Sequence, residues 1–244
     1  MQKTNKTRIA KFLASYNLGS RREIEKMILE GRIQLNGKVI NNPLYFVDKK
    51  DSIKLDNKLI IFKKYTQVYK FYKPIDCICS KNKQDERKII YDFLPKKFKN
   101  FIFAGRLDVN SEGLLIITNS GDITRNLELP RNKITRKYKV RVYGDCDEKR
   151  IEELSNGKKI NGIQYKPFRY KIFKNNKKNF WIELMLQEGK NREIRELMRS
   201  INLQVNKLIR LEFGPFKLAN LKIGDIVLAE KKEIQEYENY FGKI

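Results

Sequence analysis

Residues Gly105–Gly121 read GRLDVNSEGLLIITNSG. They set one carboxylate, Asp108, two residues after an arginine, Arg106, in a glycine-bounded loop. The apolar run Leu114-Leu115-Ile116-Ile117 follows and ends at Asn119-Ser120-Gly121, which reads as a buried strand. An acid and a base therefore stand where a loop enters the core of a sheet. The chain contains no histidine, so its chemistry must run on carboxylates, hydroxyls, amines or guanidiniums. Taken singly, Asp108 also fits an ordinary turn or cap.

A second block, Gln187–Gly214, carries the other charges of interest. Asn191 is placed to cap a helix over 192–201, with Ile194, Leu197, Met198 and Ile201 as its buried face. Arg192, Arg195 and Arg199, at spacings of three and four, form one stripe. That stripe is either a solvated face tied by Arg192–Glu196 or a wall of a phosphate- or carboxylate-binding cleft.

The elements that position these residues fall into two groups. In residues 7–60, Ile9, Phe12, Leu13 and Tyr16 predict an amphipathic helix over 8–16, which Gly19 breaks. Ser20-Arg21-Arg22-Glu23 is a capping box for a second helix, which Gly31 ends. Asn36-Gly37 between Ile33–Leu35 and Val39-Ile40 predicts a hairpin, and 51–55 a further strand. Arg21 and Arg22 lie in a first helical turn, where the macrodipole disfavours cations. An external phosphate would resolve that conflict; two solvated arginines are the plainer reading. Residues 57–66 read as a charged linker, with Leu59-Ile60-Ile61 as a candidate end of the small domain. Beyond it the pattern predicts strands at 67–71, 113–118, 137–143 and 180–186, and helices at 87–94 and 147–155.

The 244 residues allow a small domain and a larger one. The formal net charge is +24 and the sequence pI about 9.8. Residues 1–60 hold 13 Lys+Arg against 6 Asp+Glu, and residues 61–244 hold 40 against 23. Both parts are basic, which points to a polyanionic partner, most commonly a nucleic acid; a general enrichment in lysine is the plainer alternative. No signal peptide or membrane span is legible. Cys77, Cys79 and Cys146 are too few soft ligands, without histidine, to predict a metal site.

Taken together, four stretches resemble a pseudouridine synthase of the branch that has an N-terminal S4 domain and modifies ribosomal RNA. They are Phe71-Tyr72-Lys73-Pro74, the GRLD block, Lys137-Tyr138-Lys139-Val140, and EGKNREIRELM with LIRLEFGPFKL after it. The two-helix-and-hairpin segment with LGSRRE and GRIQLNGKVI resembles the S4 RNA-binding fold. The resemblance implies an α+β chain: an S4-like αα-hairpin/β domain over 1–60, a linker over 61–66, and a mixed, mostly antiparallel-sheet catalytic domain over 67–244. It implies catalytic roles for Asp108, Tyr138 and Arg195, with Arg195 paired to Asp108 and Tyr138 against the target base. The carboxylate would either take a proton from the sugar or attack carbon. Arg106 would fill the stack vacated by a flipped base, and Arg192, Arg199, Arg21, Arg22 and Lys73 would contact RNA.

Breaking the uridine N1–C1′ bond and joining C5 to C1′ balances atoms and oxidation state, so the reaction implied needs no cofactor or metal. The partner expected is ribosomal RNA, met by a cytoplasmic monomer without a membrane. The ending leans towards large-subunit members of the branch. The alternatives are a synthase for small-subunit RNA and a non-catalytic S4-type RNA-binding or ribosome-assembly factor.

Overall fold

The computed structural model describes residues 6–62, 66–83, 85–173 and 178–243. The chain forms two units. One comprises Met1–Gln67 with Lys97–Ile102 and Asn119–Gly121; the other comprises Val68–Lys96, Phe103–Thr118 and Asp122–Ile244.

Local chemistry dictates the first unit. Helix α1 (Ile9–Ala14) buries Ile9, Phe12 and Leu13. It is shorter than the apolar spacing predicts, because the chain turns away at Asn17, whose φ is +65°; Tyr16 still packs on the core from that turn. Helix α2 (Arg21–Leu29) starts at a complete capping box. The Glu23 N–H donates to Ser20 Oγ at 3.2 Å, and the Ser20 N–H to Glu23 Oε2 at 2.6 Å. Strands β1 (Ile33–Leu35) and β2 (Lys38–Ile40) turn through Asn36 and Gly37 at φ +50° and +85°. Two successive positive φ angles make the hairpin turn whose twist matches its strands.

A second such turn joins β3 (Ile53–Leu55) to β4 (Lys58–Leu59) through Asp56 and Asn57, at φ +48° and +65°. Asn57–Leu59 thus finish the four-stranded sheet, ordered β2-β1-β3-β4, rather than beginning a linker. Asp and Asn tolerate the left-handed region that this turn needs. Ile60 and Phe62 still pack against the unit's core; residues 63–65 of the expected linker lie outside the described residues.

The second unit is built on a twisted sheet. The strands along its main path are β5 (Val68–Lys73), β6 (Glu112–Thr118), β7 (Arg136–Tyr143), β8 (Arg169–Phe173), β9 (Asn179–Leu186), β10 (Gln204–Phe213) and β11 (Ile226–Leu228). They lie in the order β8-β9-β7-β10-β6-β5-β11. The pairs on this path are antiparallel except β6 with β10. Every residue of β6 is buried, which explains its unbroken apolar run. Helices α3 (Gly121–Glu128) and α6 (Lys231–Phe241) enclose one core around β6. Helices α4 (Glu148–Ser155) and α5 (Glu193–Arg199) enclose another against β7 and β9. Each fully buried aliphatic side chain there contributes about 1.5–3 kcal/mol.

The helix expected over 87–94 does not form. Lys88-Ile89 pair with Cys77-Ile78, and a single 3-10 turn, Ile90–Phe93, follows. Pro95 holds Leu94 extended, so no room remains for further turns.

Candidate active site

The loop Gly105–Ser111 is fixed by its main chain from every side. Lys73, wholly buried at the end of β5, donates from Nζ to the carbonyls of Asp108 at 3.1 Å, Ser111 at 2.9 Å and Pro74 at 2.9 Å. Arg210, buried in β10, donates to Leu114 O and Gly105 O, both at 2.7 Å. Arg195 of α5 donates from Nη2 to Asn110 O at 2.8 Å. The Gly105 N–H donates to Glu128 Oε1 at 2.9 Å, and the Asp76 N–H to Val109 O at 3.0 Å. Gly105 has φ +68°, and a β-carbon there would come within 2.5 Å of the Phe213 ring. Only glycine fits that corner.

What this leaves uncommitted is the side chain of Asp108. Among the described residues nothing donates a hydrogen bond to its carboxylate, which lines a cleft of about 960 Å³. Tyr138, Arg106, Arg136, Arg192 and Arg210 line the same cleft. Tyr138 reaches it because β7 alternates: Arg136, Tyr138, Val140 and Val142 share one face, while Lys137, Lys139, Arg141 and Tyr143 point the other way. Arg106 is exposed at the rim. Arg136 and Arg210 sit 4.8 and 4.9 Å from the Phe213 centroid, so that ring supports two cations in the cleft wall. Burial pushes the Arg136 pKa down from its ordinary value.

Two expectations need correcting here. Lys73 cannot meet RNA, because its ammonium is buried and spent on loop carbonyls. Nor does Arg195 form a direct ion pair with Asp108. Its guanidinium is taken by Asn110 O and, at 3.1 Å, Val205 O, and Asp108 acts on it only through space. Burial foremost, then Arg192, lowers the Arg195 pKa. Arg195 thus holds the loop through Asn110 O, and its buried Nε has no hydrogen-bond partner among the described residues.

The start of α5 also differs. Asn191 does not cap the helix. Arg192 occupies the cap position at φ +51°, and the Lys190 N–H donates to Glu193 Oε2 at 2.9 Å instead. The cleft wall here holds two carboxyl groups, Glu188 and Glu193. Glu188 accepts the Lys166 N–H at 2.8 Å and forms an ion pair with Lys190. Burial, added to the Glu188 charge, pushes Glu193 up to about 7. Arg199 pairs with Glu196 in place of the expected Arg192–Glu196 pair. Arg192, Arg195 and Arg199 together line a neighbouring groove of about 650 Å³. Arg21 and Arg22 stand exposed in the first turn of α2, in the other unit.

Sequence reasoning missed Arg136, Arg210, Glu188 and Glu193 as parts of this site. The signal available was a charge at an inward position of an otherwise apolar strand, as at Arg210 after Leu208, since such a charge must find partners.

The arrangement of a free aspartate, a tyrosine and a basic cleft on this sheet coincides with what comparison with known proteins finds. Residues 67–200 match the model of the RNA pseudouridylate synthase family, and residues 7–53 match the S4 domain. The chain belongs to the RNA pseudouridylate synthase family. It is 42% identical over 217 residues to an uncharacterized RNA pseudouridine synthase of Rickettsia felis, covering 89% of this chain and 94% of the relative. It is 38% identical over 228 residues to the ribosomal large subunit pseudouridine synthase B of Buchnera aphidicola subsp. Schizaphis graminum, covering 89% and 88%. A crystal structure of a pseudouridylate synthase superposes with a TM-score of 0.66 over 94% of this chain and 98% of that one, at 23% identity, a likeness of fold. As a synthase of this family the chain is an isomerase, α+β in fold, with an S4 domain at its N-terminal end. Among the described residues, no helix is long and apolar enough to cross a membrane.

Proposed function

We propose that this synthase converts a uridine of large-subunit ribosomal RNA to pseudouridine, with Asp108 as the catalytic carboxylate and Tyr138 against the target base. The observation that carries the reading is the loop 105–111. Its carbonyls are tied to Lys73, Arg195 and Arg210, while the Asp108 carboxylate, in the cleft lining, has no hydrogen-bond donor among the described residues. Such preorganisation suits a group that must meet one sugar carbon or proton in a fixed direction. The name of the Buchnera relative favours the large subunit. The Asp108 carboxylate lies within this cleft, so a stacked base must leave its stack to reach it. Arg106 at the rim stands where a guanidinium could occupy the vacated place. The basic residues around the cleft supply phosphate contacts, and the enzyme acts as a cytoplasmic monomer.

The test is pseudouridine mapping in total RNA from cells with the gene, without it, and with Asp108→Asn. One large-subunit position should lose its modification in both altered strains. Loss confined to small-subunit RNA would reassign the substrate, and loss from none would leave an RNA-binding role.

A further inference from the structure

The face of the sheet turned away from Tyr138 carries charge that the cleft does not use. Register places three rows across β7, β9 and β8: Lys137, Met185 and Arg169; Lys139, Glu183 and Lys171; Arg141, Trp181 and Phe173. Adjacent strands lie about 5 Å apart, so these side chains form a lattice. Among the described residues no helix covers them: α4 and α5 pack against the other face, with Val140, Val142, Ile182 and Leu184. Lys137 is neutralised by Glu183 at 2.9 Å. Lys139, Arg141, Arg169 and Lys171 have no carboxylate within ion-pair distance among the described residues.

The two aromatic rings are already covered. Lys139 Nζ lies 5.1 Å over Trp181, and Lys171 Nζ 5.1 Å over Phe173. A base could stack there only by displacing an ammonium. A phosphate needs no such displacement, because each ammonium held over a ring keeps N–H donors turned outward.

We infer that this outer face docks the phosphate backbone of a second RNA segment, distinct from the one that enters the cleft. The inference rests on the reading that the substrate is ribosomal RNA. A short hairpin with its uridine in the cleft lies on one face of the sheet, and only a larger folded RNA reaches both. Contacts of this kind fix position and carry no base sequence.

The test is the salt dependence of binding for Lys139→Gln/Arg141→Gln/Arg169→Gln/Lys171→Gln. The probes are a full-length 23S rRNA transcript and a short hairpin transcript containing the modified uridine. Losing four phosphate contacts should flatten the slope of log K against log salt on the long transcript by about 3. Affinity and turnover on the hairpin should stay at wild-type levels, which also shows that the variant folds. The milder Arg141→Gln/Arg169→Gln variant, which keeps both ring contacts, should show about half that change. Lys149→Gln/Lys231→Gln/Lys232→Gln/Lys243→Gln, on exposed sites elsewhere, should leave the slope unaltered. An unaltered slope in the fourfold variant, an equal fall on the hairpin, or an equal fall in the control variant would overturn the proposal. So would loss of binding to polyglutamate alone, which would give the face to an acidic protein. Absence of pseudouridine in every RNA tested would defeat the substrate reading while leaving the slope measurement to decide this one.

Discussion

The loop 105–111 and the segment 187–192 border one cleft and are held in opposite ways. In the first, cations bind backbone carbonyls: buried Lys73 and Arg210 and half-buried Arg195 reach Asp108, Ser111, Gly105 and Asn110. The side chains it leaves to the cleft include the Asp108 carboxylate, with Arg106 exposed at the rim. In the second, buried carboxyl groups bind backbone N–H groups, as Glu188 does at Lys166 and Glu193 at Lys190. Exposed in this segment, beside Gln187 and Asn191, is the guanidinium of Arg192. Cations hold most of the first segment's carbonyls, with Glu128 accepting the Gly105 N–H, whereas carboxyl groups hold the second.

The largest effect tests what the first loop presents. Asp108→Asn is isosteric and removes the charge and the nucleophile or base. Tritium release from 5-tritiated uridine in RNA should fall by more than about a thousandfold, about 4 kcal/mol of transition-state stabilisation, while filter binding of RNA stays near wild type. Residual turnover within a factor of about ten would remove Asp108 from the chemistry.

Next comes what holds that loop. Lys73→Met should cost about 2–3 kcal/mol of stability, because several buried carbonyls lose their donor at once. Turnover measured below the melting transition should fall more than KM rises, since the shift displaces Asp108 and Arg106 while the other cleft cations, Arg136, Arg192 and Arg210, stay on their own elements. A variant with normal turnover and lowered RNA affinity would instead make Lys73 a phosphate contact.

A smaller effect belongs to the rim. Arg106→Ala should lose turnover on a stem-loop with a stacked target and lose less where mismatches already unstack it. Lys at this position should rescue poorly, because an ammonium has no planar face. An identical factor on both substrates would reduce Arg106 to a loop support.

The smallest effect tests the second segment. Glu193 ionises at 4.5 in an ordinary setting and near 7 here, through burial and the neighbouring Glu188. The folded state therefore keeps a proton that the unfolded chain releases between those values, and stability falls as pH rises through that window. Glu193→Gln, which resembles the protonated acid, should flatten the fall in Tm between pH 4.5 and 7. A pH profile of Tm parallel to wild type would show that Glu193 does not carry this proton.

The small unit was nearly all legible, because its determinants are local. Ser20 and Glu23 meet three residues apart, and Asn36-Gly37 encodes its own turn. The shortened α1 and the extra β3–β4 turn are end effects of the same local chemistry. The catalytic unit was legible in its parts: the buried run of β6, the GRLD loop, the apolar stripe of α5. Propensity alone over-called residues 87–94, where Pro95 and pairing with Cys77-Ile78 prevailed.

By itself the sequence determined the classes of group available for chemistry, since the chain has no histidine, and a basic charge that attracts polyanions; its resemblance to the pseudouridine synthases is what singled out Asp108 among the carboxylates. Tertiary structure alone decided which cations meet solvent and which serve the scaffold. Lys73 and Arg210 are as polar in sequence as Arg106. Strand order carries the first two into the interior, with 35 residues separating Lys73 from Asp108 and 105 separating Arg210 from Gly105. Burial in a low-dielectric interior makes an unpaired cation costly, so each is held by carbonyls that only the folded chain brings within reach.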